Sequence, residues 1–408
     1  MAGELNARPA AGASSGPSYA ATVAALAVGQ LLCWAALYYG FASFVLPMTR
    51  DLGWSKPVLM GAFTVGLAAS GLATYAAGTA IDRGHGRALM TGGALLGAAA
   101  CAAWSQVQAP WALYACCVVL GAAMAMTLYE PVFNVVTHRY PTRYREAITT
   151  LTLVGGFAST LSFPACAWLV GEVGWRGALL VVAATLLLVV APLHAWALRG
   201  PARVAAPARP DEVADATLHE AVRHPTFWLL TLAFTLHAFV IAALWTHVMP
   251  AFESRGVEEV ATLAVLVWIG PAQVAGRLAI ARLGREPPLR RVGMLAMLAI
   301  ALAFAIFTVS SRPVALLAFA VLFGAGNGLI AIVRGGLVPE LFGRTRVGRV
   351  GGLIAGISLM ARAAAPLAAA WLLLALPGYQ ELMALLAACA AAAWLALWMV
   401  APRRAGLR

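Results

Sequence analysis

Long apolar runs recur along the whole chain, and they constrain its fold more than any other feature. They lie at about 20–48, 56–81, 88–107, 111–138, 147–171 and 175–198, and then at 226–250, 258–281, 290–310, 314–338, 350–376 and 379–401. A helix needs roughly 20 apolar residues to cross the ~30 Å hydrocarbon core of a bilayer. The sequence therefore predicts an all-α polytopic membrane protein with about 12 transmembrane helices, and it leaves no room for a soluble domain.

Basic residues are distributed unevenly between the predicted loops. The chain has 28 Lys and Arg against 16 Asp and Glu, a net charge of +12. If both termini are cytoplasmic, the outside loops hold only Arg50, Lys56, Arg176, Arg255 and Arg312 of these basic residues. A concentration of basic residues in inside loops orients membrane proteins. We therefore expect both termini in the cytoplasm, the lipid bilayer as the surroundings, and no nucleic-acid partner.

The pattern divides the chain into five segments. We predict a flexible cytoplasmic tail at 1–18, which has no signal-peptide pattern, an N-terminal six-helix bundle at 19–198, and a Pro-rich, charged cytoplasmic linker at 199–225. A C-terminal six-helix bundle at 226–401 and a basic cytoplasmic tail at 402–408 follow.

The two predicted bundles repeat each other at a shift of 203 residues. At that shift the pairs are Pro47 with Pro250, Gly53 with Gly256, Gly121 with Gly324, Trp168 with Trp371, and Trp34 with His237. A duplicated six-helix unit is a known design for carriers, in which the substrate site lies between the halves near mid-membrane. The sequence therefore predicts two pseudo-symmetric halves around a central site.

The loop between the second and third helices carries a recognisable motif of Gly78, Asp82, Arg83, Gly86 and Arg87. It resembles the signature loop of the major facilitator superfamily, with the second glycine displaced by one and a single terminal basic residue. The resemblance covers essentially the whole chain apart from the tails, and it implies the major facilitator fold. It also implies that Asp82 and Arg83 latch the cytoplasmic side as the halves rock.

Within that superfamily the chain resembles the bacterial monocarboxylate and oxalate/formate exchanger-like branch, because an arginine lies in the eleventh helix. The acid–arginine pair of many monocarboxylate porters is absent around Gln273 in the eighth helix. Drug exporters of the superfamily usually carry an arginine in the fourth helix, where this chain has Glu130, and a Gly-Pro-x-x-Gly-Gly element in the fifth, where Pro164 is followed by Ala165. These differences weigh against drug efflux, which stays the alternative.

Arg362 lies in the middle of the apolar run from Val350 to Leu376. A charge at the centre of a transmembrane helix costs about 2.5–3.5 kcal/mol on insertion scales, so it persists where it meets water, a counter-charge or a ligand. A guanidinium group matches a carboxylate bidentately. We therefore predict that Arg362 binds an anionic substrate; the alternative is a structural contact with backbone carbonyls.

Several other polar or aromatic residues reach a similar depth. Counting ~1.5 Å per residue places Gln30, Trp34, His237 and Asn327 near the level of Arg362. Together with Tyr38 they are predicted to line the substrate site. An imidazole has an ordinary pKa near neutrality, so His237 is either a proton carrier or a neutral contact between helices.

Glu130 and Arg334 occupy nearly symmetric places towards the cytoplasmic ends of the fourth and tenth helices. They are predicted to form a gate that closes as an ion pair and opens when Glu130 is protonated. The alternative is two independent interfacial charges.

These observations predict a secondary transporter of a bacterial-type inner membrane, which acts as a monomer. It would move a small organic anion such as a carboxylate by alternating access, with proton symport or anion exchange. There is no Gly-x-x-x-x-Gly-Lys-Ser/Thr loop, and Lys56 is the single lysine, so no ATP site is expected. We expect no enzyme activity, cofactor or metal, since no catalytic cluster is apparent and the six cysteines lie in apolar spans.

Overall fold

The computed structural model describes residues 16–200, 215–282 and 287–401, and within them the regular elements are helices. The first four membrane helices are α1 (Tyr19–Leu52), α2 (Lys56–Asp82), α3 (Gly86–Trp104) and α4 (Pro110–Arg139). The predicted tails, except for 16–18, and most of the linker lie outside the described residues. From the linker a short helix, Leu218–Arg223, is seen, and Thr217 and Glu220 form a capping box at its start.

The next apolar segment, Tyr144–Ala197, is 54 residues long and crosses the membrane twice. Gly174 has a left-handed φ of 69° with ψ of 171°, which interrupts the helix. Just after it, Arg176 donates to Ser105 O at 2.7 Å in the α3–α4 loop. Near the end of the segment, Ala195 O accepts from Arg87 in the first turn of α3, on the opposite side. The segment is therefore two helices, α5 (144–173) and α6 (175–197).

The second half of the chain supplies six more helices. They are α7 (Pro225–Glu253), α8 (Glu259–Arg282), α9 (Leu289–Val309), α10 (Pro313–Phe342), α11 (Val347–Ala375) and α12 (Tyr379–Met399). The described residues thus contain twelve membrane-crossing helices, and the predicted all-α polytopic class is confirmed. Helix α1 begins on the side of the membrane where the two ends of the linker lie. We call this the linker side, and we call the opposite side the far side.

The internal repeat is visible in the backbone. α1 is followed directly by Gly53 with φ of 70°, and the turn that follows Glu253 at the end of α7 closes at Gly256 with φ of 73°. Each glycine follows a proline near the end of its helix, Pro47 or Pro250. A left-handed residue after the last turn is a common way to end a helix, and glycine adopts it without a steric penalty. Equivalent residues therefore end equivalent helices in the two halves.

The repeat also appears in helix packing. A Cβ on Gly121 of α4 would lie 2.0 Å from the carbonyl oxygen of Gly66 on α2. The equivalent Gly324 of α10 approaches α8, where a Cβ would lie 2.5 Å from Ile269 O. Small residues allow membrane helices to approach this closely. The α2–α4 contact of the first half thus corresponds to the α8–α10 contact of the second.

Buried apolar side chains form two clusters that show where the halves meet. One lies entirely in the first half, around Phe44 and Trp104. The other fills the second half and includes first-half residues such as Leu26, Val132 and Ile148, which lie in the parts of α1, α4 and α5 that approach the linker side. The halves therefore share an apolar core towards the linker side.

Candidate functional site

α2 and α11 cross at the boundary between the halves, and their backbones are in direct contact there. A Cβ on Gly78 would lie 1.9 Å from Gly348 O, and a Cβ on Gly71 would lie 3.2 Å from Gly356 O. Any side chain at Gly78 would collide with the backbone of the other half. The absence of side chains here lets the two helices close the linker side tightly.

Asp82, at the end of α2, caps the first turn of α11. Its carboxylate accepts the backbone N–H groups of Gly348 and Arg349, each at 2.8 Å, and the Asp82 side chain is 5% exposed. His138 Nε2 of α4 lies 3.0 Å from the same carboxylate. A negative charge at a helix N-terminus is favourable. Asp82 therefore ties the halves together, whereas its predicted companion Arg83 is exposed.

α4 is interrupted in the membrane, and the interruption positions Glu130. Leu128 has an extended ψ of −157°, so the helix stops at Thr127 and restarts at Tyr129. The Thr127 carbonyl accepts a hydrogen bond from Gln30 Nε2 at 2.6 Å. Glu130 thus lies in the first turn of a new helix, where its carboxylate is favoured by the helix dipole.

Glu130 and Arg334 form an ion pair between α4 and α10. Oε1 of Glu130 lies 2.9 Å from Nη2 of Arg334, as a close charge contact rather than an aligned hydrogen bond, and the side chains are 24% and 21% exposed. A small cavity beside the pair is lined by Asn134 and Gly351, among others. The structure thus brings together the two residues that the repeat pointed to.

A second ion pair between the halves was not predicted from the sequence. Arg145, in the first turn of α5, lies 2.8 Å from Glu340 near the end of α10. Both residues are at helix ends, where charged side chains are usually solvated, so no feature of the sequence pairs them.

Arg277 of α8 is the buried cation that the sequence analysis missed. Its side chain donates to Gly328 O at 3.1 Å, to Thr152 O of α5 at 2.7 Å and to Gln273 Oε1 at 3.4 Å, and it is 5% exposed. The acid–arginine pair noted as absent around Gln273 stays incomplete, because Gln273 is an amide, but Arg277 lies one helical turn further on. A charge within an apolar run, the signal that revealed Arg362, could have found it.

Arg362 faces the first half of the protein. It is half-buried, and its guanidinium carbon lies 5.9 Å above the ring centre of Tyr38 on α1. Within residues 16–200, 215–282 and 287–401 it has no hydrogen bond or ion pair. Tyr38 is itself 5.2 Å from the ring of Trp34. The structure thus brings three of the predicted site residues together between the halves.

The remaining predicted site residues contact other parts of the structure. Gln30 is fully buried within the first half and bonded to α4. Asn327 is half-buried on α10, beside two glycines that pack against α8 and α9. His237 borders a small apolar cavity of the second half with Met297 and Ala390. The ring neighbours of Trp34 all belong to the first half, among the described residues.

Hydrogen bonds and ion pairs between the halves all lie towards the linker side, in the part of the chain that the structure describes. On the far side, polar contacts join residues of the same half, such as Trp175 with Asp51 and Arg255 with Ser311. The structure is therefore a conformation closed at the linker side.

Comparison with known proteins gives a consistent result. The family model described as Major Facilitator Superfamily matches residues 26–307. Monocarboxylate transporter 13 from Bos taurus is 28% identical over 215 residues, which is 51% of this chain and 49% of that protein. The equivalent protein from Rattus norvegicus is 27% identical over 215 residues, with the same coverage of each chain. The chain thus spans about half the length of the curated relatives it matches.

Solved structures share the fold at low sequence identity. The human organic anion transporter MFSD10 superposes with a TM-score of 0.73 at 16% identity, covering 93% of this chain and 100% of that one. The E. coli fucose:proton symporter FucP superposes with a TM-score of 0.72 at 13% identity, covering 95% and 100%. With a family match over more than half of its length, the chain belongs to the major facilitator superfamily, a family of secondary transporters of small solutes.

Proposed function

We propose that this protein carries a small organic anion, such as a carboxylate, by alternating access. Proton symport is the preferred coupling and anion exchange the next. The chain would act as a monomer in a bacterial-type inner membrane, with the linker side in the cytoplasm, as the excess of basic residues in the loops on that side supports.

The single observation that carries the anion class is the unsatisfied guanidinium of Arg362. Arg277 is also buried, but its side chain already donates to two backbone carbonyls and a glutamine. Arg362 has a ring beneath it and no hydrogen-bond acceptor among the described residues. Arg362 is only half-buried, so its uncommitted donors are open to an arriving carboxylate, which can accept two charge-assisted hydrogen bonds from them.

Proton coupling is assigned to the Glu130–Arg334 ion pair. Protonation of Glu130 would remove one charge of the 2.9 Å contact between the halves and favour opening of the linker side. The hydrogen bonds of Asp82 to α11 and the Arg145–Glu340 ion pair would have to break in the same movement.

The names of similar proteins support the anion class. Two are monocarboxylate transporters, and one structural neighbour is an organic anion transporter. Proton-coupled efflux of amphiphilic or toxic compounds stays as the alternative, because the aromatic side chains around Trp34 would also suit such ligands.

The test is uptake of labelled carboxylates by protein reconstituted in liposomes. Arg362→Ala should weaken substrate binding about ten- to hundredfold, the value of a charged hydrogen-bonded contact. Arg312→Ala, which removes an exposed arginine of a far-side loop, is the matched control. Unchanged uptake by Arg362→Ala would refute the anion site. Uptake that ignores an imposed pH gradient would refute symport in favour of exchange.

A further inference from the structure

Aromatic rings from two helices of the first half stand beside Arg362. Trp34 and Tyr38 of α1 are 5.2 Å apart between ring centres, with an interplanar angle of 67°. Tyr129 of α4 lies 4.8 Å from Trp34. All three side chains are half-buried. We call Trp34, Tyr38 and Tyr129 the aromatic wall.

The backbone of α1 is unusual where it forms this wall. Residues Trp34–Tyr39 are π-helical, and Gly40 N–H donates to Ala35 O. Such single wide turns inside α-helices are rare and occur often at functional sites. The turn holds Trp34 and Tyr38 in one stretch of α1, so a local distortion of the helix brings two large rings together, and Arg362 lies above the ring of Tyr38.

Trp34 also has an unused donor. Its indole N–H is buried and meets no acceptor among the described residues. A buried N–H without a partner loses the hydrogen bond it would make to water. A ligand with an oxygen on its ring could restore that bond.

We propose that the carried anion is an aromatic carboxylate, an inference that rests on the proposed function. Its carboxylate binds Arg362 bidentately, and its ring packs against the aromatic wall. Aromatic rings favour tilted or offset contacts at 4.5–7 Å between centres, the spacing that the wall itself shows. An oxygen substituent on the ring accepts from Trp34 Nε1. The aromatic wall thus selects for the ring of the substrate, and Arg362 selects for its negative charge.

The test compares benzoate with cyclohexanecarboxylate, which match in charge and nearly in size but differ in the π system. Binding is measured by thermal-shift titration of the purified full chain. An aromatic contact improves affinity by about two- to twelvefold beyond area burial. We expect benzoate to bind more tightly by that factor, Trp34→Leu to abolish the preference, and Trp34→Phe to keep it.

Trp371→Leu is the control for loss of a tryptophan. Trp371 lies nine residues after Arg362, on the opposite face of α11, and is 67% exposed. This variant should keep the preference for benzoate. If it lost the preference as Trp34→Leu does, the assignment to the wall would be refuted.

The indole N–H is tested with the three hydroxybenzoate isomers. At least one should bind more tightly than benzoate to the natural protein, and Trp34→Phe should remove that advantage while keeping the preference for benzoate over cyclohexanecarboxylate. No gain with any isomer would refute the role of the N–H.

Failure of this inference differs from failure of the proposed function. Equal binding of benzoate and cyclohexanecarboxylate, both lost in Arg362→Ala, would overturn the aromatic class and leave an anion transporter. Binding of neither acid, nor of any carboxylate in the uptake assay, would overturn both.

Discussion

At the scale of the residue, two arginines of the second half face the same cost and meet it differently. A charge in the membrane interior costs about 2.5–3.5 kcal/mol unless it finds partners. Arg277 finds them in Gly328 O, Thr152 O and Gln273. Arg362 does not, within the described residues, and faces Tyr38 of the other half. The donors of Arg277 are therefore occupied in this closed conformation, whereas those of Arg362 are available to a ligand.

Substitution of Glu130 should impair proton-coupled uptake without stopping exchange. Glu130→Gln removes the proton-releasing group and one charge of its ion pair with Arg334. Loss of about 1 kcal/mol, the upper value for partly exposed pairs, would shift the population of the closed state about fivefold. We expect uptake driven by a pH gradient to fall strongly while counterflow exchange continues, as measured in proteoliposomes.

Glu340→Gln is the matched control, because it removes the other described ion pair between the halves. It should weaken closure and keep the response to the pH gradient. Full stimulation of Glu130→Gln by a pH gradient would contradict the coupling role. Equal loss of uptake and exchange would instead indicate a folding defect.

The sequence revealed some of the charges in the membrane and missed others. Arg362 could be found because it is surrounded by apolar residues, and Glu130 with Arg334 because the repeat relates their positions. Arg277 also lies in an apolar stretch, five residues before the end of α8, but the sequence does not show what it contacts. Its burial depends on α5 approaching from the other half, since a Cβ on Gly156 would lie 2.1 Å from its Nη1. Only the tertiary structure supplies that contact.

At the scale of the element, closure of the linker side depends on glycines at the α2–α11 crossing, of which Gly78 makes the closest approach. A Cβ on Gly78 would lie 1.9 Å from Gly348 O, a distance that no packed side chain shows. Gly78→Ala should therefore prevent the closed state and favour the state open at the linker side. The measurement is thiol labelling of a cysteine placed at Asn134, beside the Glu130–Arg334 pair.

Gly270→Ala is the control for this prediction, because a Cβ there would meet nothing within 4 Å. Alanine is a better helix former than glycine, so this variant should keep its fold and its labelling pattern. Similar labelling rates in Gly78→Ala and in the natural protein would show that the crossing does not control closure.

The existence of the helices could be predicted from the sequence, but their interruptions could not. Apolar runs of sufficient length give membrane helices because no other open structure satisfies the backbone in lipid. The break at Leu128 needs an outside donor for the carbonyl that it frees, and Gln30 of α1 provides one. The π-helical turn at Trp34–Tyr39 likewise leaves the hydrophobic pattern unchanged. The break at Leu128 has one local signal, Pro131, which has no N–H for the Thr127 carbonyl, but the donor that replaces it comes from another helix that the local sequence does not specify.

At the scale of the whole molecule, contacts between the halves are concentrated on one side. Asp82 holds α11 through two backbone N–H groups, Arg145 and Glu340 join α5 to α10, and Glu130 joins α4 to Arg334. On the far side the described polar contacts stay within a half. Opening the linker side therefore means breaking these contacts together, which makes the transition cooperative between two states.

A covalent tie across the linker side should stop transport, whereas the same tie within one half should not. In a background without the six native cysteines, Arg145→Cys with Glu340→Cys would be joined by a flexible thiol reagent of roughly 10 Å, the reach of the replaced side chains and their 2.8 Å contact. We expect uptake to cease on cross-linking, because α5 and α10 can no longer separate. If the reagent is reducible, uptake should return when the cross-link is cleaved by reduction. Arg255→Cys with Ser311→Cys, a far-side pair within the second half, is the control and should keep uptake. Continued uptake by the fully cross-linked first pair would contradict alternating access by separation of the halves at the linker side.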